Sequence, residues 1–193
     1  MNTIDRHRGR WVLILALGLA LGATIAILSL FRDGSEARSV QLRDGDVVSA
    51  SVSAEDALAR ASKSAGFAVV SPKDPGKIVD GLGLENVWVQ PAPPPGPPGA
   101  PPRTFRVVTL NYAGPGVTFS VDELNGGFDP TTSGERLTVS NGDVAIYVRE
   151  TETGVSYSML ARERGFILNS EKPNLAPRDA AVAFLLALAG ELE

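Results

Sequence analysis

The stretch VTFSVDE at Val117–Glu123 alternates apolar and polar side chains, which is the pattern of a β-strand with one buried face. Residues 144–148 repeat this alternation, with Val144, Ile146 and Val148 at every second position. Short runs of the same kind, separated by turn residues, continue from Phe67 to Asn169. This region of the chain is therefore predicted to form a sheet that packs one face on a core.

Turn signals predict how the strands are joined. Asn141-Gly142 separates Leu137–Ser140 from Asp143–Glu150 and is typical of a two-residue hairpin turn. Glu152–Gly154 marks the next reversal of the chain. Because no helix of crossover length separates these strands, we expect an antiparallel meander and not a doubly wound parallel sheet.

Two helices are predicted to cover the sheet. Ser53 can cap the first, which has acidic residues in its first turn and Gly66 as its end. Pro177 opens the second. The apolar face of the first helix is made of Ala57, Leu58, Ala61 and Ala65, and that of the second of Ala180, Ala181, Phe184, Leu185, Leu188 and Leu192. The predicted fold class is therefore α+β.

A transmembrane helix is predicted from Trp11 to Phe31. This run has 21 residues without a charge, which at the helical rise reach roughly 31 Å, about one bilayer core. Arg6, Arg8 and Arg10 precede it, so the positive-inside rule puts the amino terminus in the cytoplasm and the carboxyl terminus outside. The alternative is a cleaved signal peptide, although the apolar part of a signal peptide is usually shorter. We expect a single-pass signal-anchor that places the chain in the cell membrane.

Four segments follow from this topology. Residues 1–10 form a cytoplasmic tail, 11–31 the membrane helix, 32–50 a stalk or lead-in, and 51–193 an extracytoplasmic α+β domain. Within the domain, residues 91–102 hold eight of the 14 prolines. Because strands are expected at Gly83–Gln90 and Thr104–Tyr112, this segment is predicted to be an extended loop and not a domain boundary. Its Pro95-x-x-Pro98 spacing leaves open a second role as a ligand of a proline-recognising module.

Composition excludes several kinds of chemistry. Three arginines and one aspartate precede the membrane run, which leaves 15 basic against 21 acidic residues beyond it, a balance that argues against nucleic acid as a partner. The chain has no cysteine. Its one histidine, His7, precedes the membrane run, so the outer domain has neither a Ser–His–Asp arrangement nor a histidine metal site.

Candidate site residues are accordingly few. Asp122, Glu123 and Asp129 are close enough in sequence to suggest a carboxylate pair or a calcium site, but solvated turn residues explain them as well. Four aromatic residues could line a groove or pack in the core, namely Trp88, Tyr112, Tyr147 and Tyr157. We assign no catalytic, cofactor-binding or metal-binding residue, and we do not expect an enzyme.

Several segments resemble an uncharacterised bacterial extracytoplasmic domain family. They are ALARASKSAGFAVVSP at Ala57–Pro72, VVTLNYAGPGVTFSVDE at Val107–Glu123, GVSYSML at Gly154–Leu160, and the helix that follows NLAPRDAA at Asn174–Ala181. The family occurs in single-pass membrane proteins, in anti-sigma-factor-like regulators and in sporulation-type lipoproteins. The resemblance implies a compact α+β module for sensing or contact in the cell envelope. Direct anti-sigma activity is not expected, since only ten residues precede Trp11.

Three functions are consistent with these patterns. The first is a non-enzymatic envelope module that is held at the lipid bilayer by its anchor and binds a protein, peptide or cell-wall partner. The second is an acyl-chain or lipoprotein carrier or sensor with an apolar cavity between sheet and helices. The third is a carboxylate-dependent hydrolase. A closed core would count against the second function, and a hydrolytic activity that is unchanged by alanine at Asp122, Glu123 and Asp129 would count against the third.

Overall fold

The computed structural model describes residues 39–48, 51–91, 106–126, 128–137 and 144–192. All of these belong to one folded unit, Ala37–Glu193. Within the described residues, no helix is both long enough and apolar enough to cross a membrane. The predicted anchor lies outside the described residues together with Arg6, Arg8 and Arg10, so it stays a prediction.

In the described part of the chain, nine strands form one sheet in the order β2-β1-β3-β4-β5-β9-β8-β7-β6. The strands are β1 (Gln41–Asp44), β2 (Val47–Val48), β3 (Gly83–Val89), β4 (Val107–Gly114), β5 (Val117–Asn125), β6 (Glu135–Leu137), β7 (Ile146–Glu150), β8 (Gly154–Ala161) and β9 (Arg164–Glu171). Every neighbouring pair is antiparallel except β1 and β3, which run parallel. The α+β class with a mainly antiparallel sheet is confirmed.

The sheet consists of two meanders and not of one continuous meander. β3, β4 and β5 form the first, and β6 to β9 form the second. They join where β5 pairs with β9, from Phe119↔Ser170 to Asn125↔Arg164. This pairing was not predicted, because alternation identifies a strand but not its distant partner.

Three helices accompany the sheet, namely α1 (Ala54–Ala65), α2 (Pro75–Ile78) and α3 (Arg178–Gly190). The Ser53 side chain accepts a hydrogen bond from the Asp56 N–H at 3.1 Å, and Gly66 ends α1 in the left-handed conformation with φ 79°. Pro177 begins α3, as predicted. α1 packs against β1, β3 and β4, whereas α3 packs against β8 and β9.

The helices and the sheet enclose a filled core. Tyr112, Phe119 and Phe184 contact one another with ring centroids 4.8–5.5 Å apart. The rings of this trio connect the first meander to α3. Burial of each such large apolar side chain contributes about 1.5–3 kcal/mol to the stability of the fold. The helix α1 adds Ala57, Ala61 and Ala65 to the core, and their small size lets this helix approach the sheet closely.

Two segments differ from their predicted structure. Gln41–Asp44 and Val47–Val48 are strands of the sheet, although the sequence pattern of this segment indicated a stalk or lead-in. The buried residues Val40 and Leu42 belong to a run that is too short to show alternation. Phe67–Val70 is a loop and not the predicted strand. Its backbone is paired by side chains instead, since the Val69 N–H donates to Ser62 Oγ at 2.8 Å.

The connections agree with the turn signals where they are described. β6 pairs with β7 in the register Leu137↔Ile146, which is the register that a two-residue turn at Asn141-Gly142 imposes, although those two residues lie outside the described ones. β3 and β4 pair directly across the proline-rich segment, and the Gln90 N–H donates to the Val107 carbonyl at 3.0 Å. That segment therefore joins two neighbouring strands and does not separate two domains.

Candidate functional site

The three carboxylates considered as a site are not brought together. Asp122 and Glu123 are consecutive on β5, so their side chains lie on opposite faces of the sheet. Asp129 is exposed and accepts hydrogen bonds from the Thr131 N–H and hydroxyl, which cap a short 3₁₀ turn. Among the described residues, no group of three or more histidine or carboxylate side chains is arranged to hold a metal ion.

Glu123 lies in the core with its side chain fully buried. Its two carboxylate oxygens accept from the Val70 N–H at 3.1 and 3.3 Å, and Oε2 lies 3.7 Å from Arg164 Nη1. Burial raises the pKa of Glu123 to about 8, although Arg164 and the Val70 N–H favour the charged form. This carboxyl is therefore mostly protonated below about pH 8, and it is shielded from solvent.

Arg164 and Tyr112, like Glu123, contact the loop that follows α1. Arg164 Nη1 also donates to the Ala68 carbonyl, and its guanidinium lies 5.1 Å from the centre of the Phe67 ring. The Tyr112 hydroxyl donates to Ser71 Oγ at 2.9 Å, and burial raises the pKa of that hydroxyl. These contacts hold the loop on the sheet, so we assign Glu123 a structural role.

The opposite face of the sheet, here called the open face, is the one that α1 and α3 do not cover. Six carboxamide or hydroxyl side chains lie there in one cross-strand row, here called the amide row. Successive members are direct partners in the strand registers. The amide row consists of Gln41, Asn86, Asn111, Ser120, Asn169 and Ser156.

A β-bulge places the second member in the row. Between the pairs Leu84↔Tyr112 and Asn86↔Asn111, β3 has the extra residue Glu85. The extra residue moves Asn86 to the open face, whereas Leu84 remains in the core. Asn86 Oδ1 is buried and accepts no hydrogen bond.

Two depressions lie along the row. One, of about 580 Å³, is lined by Gln41, Asn86 and neighbouring residues, and the other, of about 370 Å³, by Asn111, Ser120, Asn169 and neighbouring residues. Glu85 lines both, so the two depressions adjoin. Both depressions open to solvent.

A hydrogen-bonded network supports one end of the row. Asp122 accepts from Thr109 Oγ1 at 2.7 Å and from Asn169 Nδ2 at 3.5 Å, and Ser156 Oγ donates to Asn169 Oδ1 at 2.8 Å. Gln90 Nε2 donates to Thr109 Oγ1 at 3.0 Å. Burial raises the pKa of Asp122, whereas the hydrogen bond from Thr109 opposes that shift. The network fixes the orientation of Asn169 and Ser156 on the open face.

The four aromatic candidates do not form one groove. Tyr112 and Tyr157 are buried in the core, whereas Trp88 and Tyr147 lie on the open face on strands far apart in the sheet. Arg43 packs over the ring of Trp88, with its guanidinium 5.2 Å from the ring centre. The open face is thus mainly a hydrogen-bonding surface.

Sequence reasoning missed the amide row. Each member is an ordinary polar residue at a solvent-facing position of its own strand, and the row forms only when six strands are placed in register. One signal was present, since Asn111, Ser120 and Asn169 each occupy the polar side of an alternating run. No protein-family model, curated protein or solved structure matches the chain.

Proposed function

We propose that the chain is a membrane-anchored binding module of the cell envelope, that it acts without catalysis, and that its open face is the binding surface. The single observation that carries this proposal is the amide row. It presents uncharged hydrogen-bonding groups on six adjacent strands, on the face that α1 and α3 do not cover. A surface that was merely exposed to solvent would not require an uncharged hydrogen-bonding side chain at every position of the row.

The anchor supports the location of the module. Trp11–Phe31 is long enough to span a bilayer and has three arginines on its amino-terminal side. On this topology the amino terminus is cytoplasmic, and the folded unit lies outside the membrane. The resemblance to envelope domains in single-pass proteins favours the same arrangement.

The arrangement of acidic groups supports binding over hydrolysis. A carboxylate-dependent hydrolase needs two carboxyl groups that face one bond. Here Asp122 faces outward, Glu123 faces the core, and Asp129 caps a turn. No observation favours the hydrolase.

The packed core gives the carrier hypothesis no support. An acyl-chain carrier needs an apolar cavity between the sheet and its helices. That space holds Tyr112, Phe119 and Phe184 in ring contact, and all three are 5% exposed or less. We therefore keep the binding module as the proposal.

Site-specific photo-cross-linking in living cells tests the proposal. A photoreactive amino acid is placed at Ser120, in the middle of the open face, and in a second strain at Arg60, on the exposed side of α1. We expect adducts of the full-length protein from position 120 and few from position 60, because only the first lies on the proposed surface. Equal adducts from both positions, or none from position 120, would show that the open face is not the binding surface.

A further inference from the structure

The hydrogen-bonding groups of the open face point to an uncharged glycan chain as the ligand, lying across the strands along the amide row. This inference rests on the proposed function, because it names what the open face binds. It is carried by four features of the row: its donors and acceptors, its unpaired groups, its length and the charges beside it.

The first feature is the mixture of donors and acceptors. A carboxamide offers two N–H donors and a carbonyl acceptor, and a serine hydroxyl both donates and accepts. A sugar hydroxyl also donates and accepts, so each member of the row can form paired hydrogen bonds with adjacent ligand groups. A row of cations would instead be suited to a phosphorylated polymer.

The second feature is hydrogen-bonding capacity that the protein leaves unused. The side chains of Gln41, Asn111 and Ser120 make no hydrogen bond to another described residue, and Asn86 Oδ1 has no partner. At the other end, Asn169 and Ser156 are held by the Asp122 network. The row therefore combines free groups with oriented ones, which lowers the entropic cost of binding.

The third feature is length. Neighbouring strands are about 4.8 Å apart, so a row across six strands extends over roughly 24 Å. The two adjoining depressions follow the row from β1 to β9 and leave room above it. The strand spacing is similar to the length of one sugar unit, so a linear glycan can place successive units over successive strands.

The fourth feature is charge. The charged residues that line the depressions are Glu85 and Glu171, and Asp122 lies beside the row, whereas Arg43 and Arg149 of the open face lie outside both linings. Acidic groups disfavour polyanions and accept hydrogen bonds from neutral hydroxyl groups. An extended peptide is a poorer match, because peptides commonly add to the edge of a sheet through backbone hydrogen bonds, and this face presents side chains only.

Titration calorimetry with purified full-length protein tests the inference. The protein is held in a detergent without a sugar headgroup, so that the detergent cannot compete. Two probes are used, a linear tetramer of β-1,4-linked N-acetylglucosamine and the corresponding tetramer of glucose. We expect saturable binding of at least one of them, and no binding of a glutamate oligomer of similar length.

Matched variants locate the binding. The double variant Asn111→Ala/Ser120→Ala removes two row members that make no hydrogen bond within the described protein, so the fold should be kept, and thermal unfolding verifies this. Asn125→Ala is the control, because Asn125 is an exposed asparagine on the same strand as Ser120 but outside the row. We expect the double variant to bind at least tenfold more weakly, since one lost hydrogen bond weakens binding about fivefold. The control should bind like the unaltered protein.

The outcomes distinguish an error in the proposed ligand class from an error in the proposed binding surface. Absence of binding by both tetramers, or equal weakening by Asn125→Ala, overturns the glycan inference. If cross-linking from position 120 then still yields specific adducts with a protein partner, the binding surface stands and only the ligand class is wrong. If position 120 yields no adduct either, both proposals fail.

Discussion

Glu123 Oε2 lies 3.7 Å from Arg164 Nη1, so the two side chains form an ion pair whenever the buried carboxyl is ionised. They belong to β5 and β9, the two strands that join the meanders, and Arg164 lies two residues from Phe166, the direct partner of Glu123. Breaking a buried pair leaves one charge unpaired, so this contact should control how stability depends on pH.

We expect the free energy of unfolding to fall between pH 5 and pH 8. Glu123 has an ordinary pKa of 4.5 when unfolded and about 8 when folded, so in this window the folded protein holds a proton that the unfolded chain has released. The stabilisation is complete below pH 4.5 and is lost as the pH rises to 8, by up to about 1.4 kcal/mol per pH unit. Glu123→Gln should remove most of this slope in urea unfolding curves, whereas Glu135→Gln, at an exposed position on β6, should leave it unchanged.

Arg164→Gln should destabilise the protein more at pH 9 than at pH 6. At pH 9 Glu123 is ionised and paired with Arg164 in the unaltered protein, whereas in the variant the buried carboxyl must either stay charged without a partner or take up a proton, which costs up to about 3 kcal/mol. The double variant Glu123→Gln/Arg164→Gln should lose this pH dependence, which a double-mutant cycle by urea unfolding measures. A coupling energy that is the same at both pH values would contradict the pairing.

Gly165→Ala should destabilise the protein by about 1–3 kcal/mol. A Cβ at this position would lie 2.5 Å from Phe128 Cδ1 and 2.8 Å from its Cβ, so the ring cannot avoid it by rotation alone. Gly190→Ala is the control, because its Cβ would meet no atom within 4 Å. Adding Phe128→Ala to Gly165→Ala should cost less than the sum of the two single changes, as measured by denaturant unfolding.

The anchor predicts the topology of the mature protein. A reporter that is active only outside the cytoplasm should be active when it is fused after Glu193, and replacing Arg6, Arg8 and Arg10 with glutamine should reduce that activity. Mass spectrometry of the membrane fraction should recover the segment Trp11–Phe31. A mature chain that lacks this segment would instead indicate a cleaved signal peptide.

Local features of the fold were predictable, because they depend on neighbours in sequence. The cap at Ser53, the left-handed Gly66 and the start of α3 at Pro177 each depend on one or two side chains. The alternation of Val117–Glu123 likewise fixed which residues of β5 face the core, with Phe119 and Val121 among them. Each of these signals depends only on residues that are close to one another in sequence.

Features that depend on distant partners were not predictable from the pattern. The pairing of β5 with β9 requires the register of two segments whose paired residues are 39 to 51 positions apart. Phe67–Val70 has strand composition, but the Val70 N–H donates to a carboxylate and not to a neighbouring strand. The amide row shows the same limit, since its members come from six strands.

The junction between the meanders also has a consequence for biosynthesis. β5 is made well before β9, so until Arg164–Glu171 has been synthesised one edge of β5 has no strand to pair with. Contacts between residues so far apart along the chain slow folding, and an unpaired edge invites aggregation. A nascent chain that extends only through residue 125 would therefore be the stage most dependent on chaperone protection, and the synthesis of β9 would end that dependence.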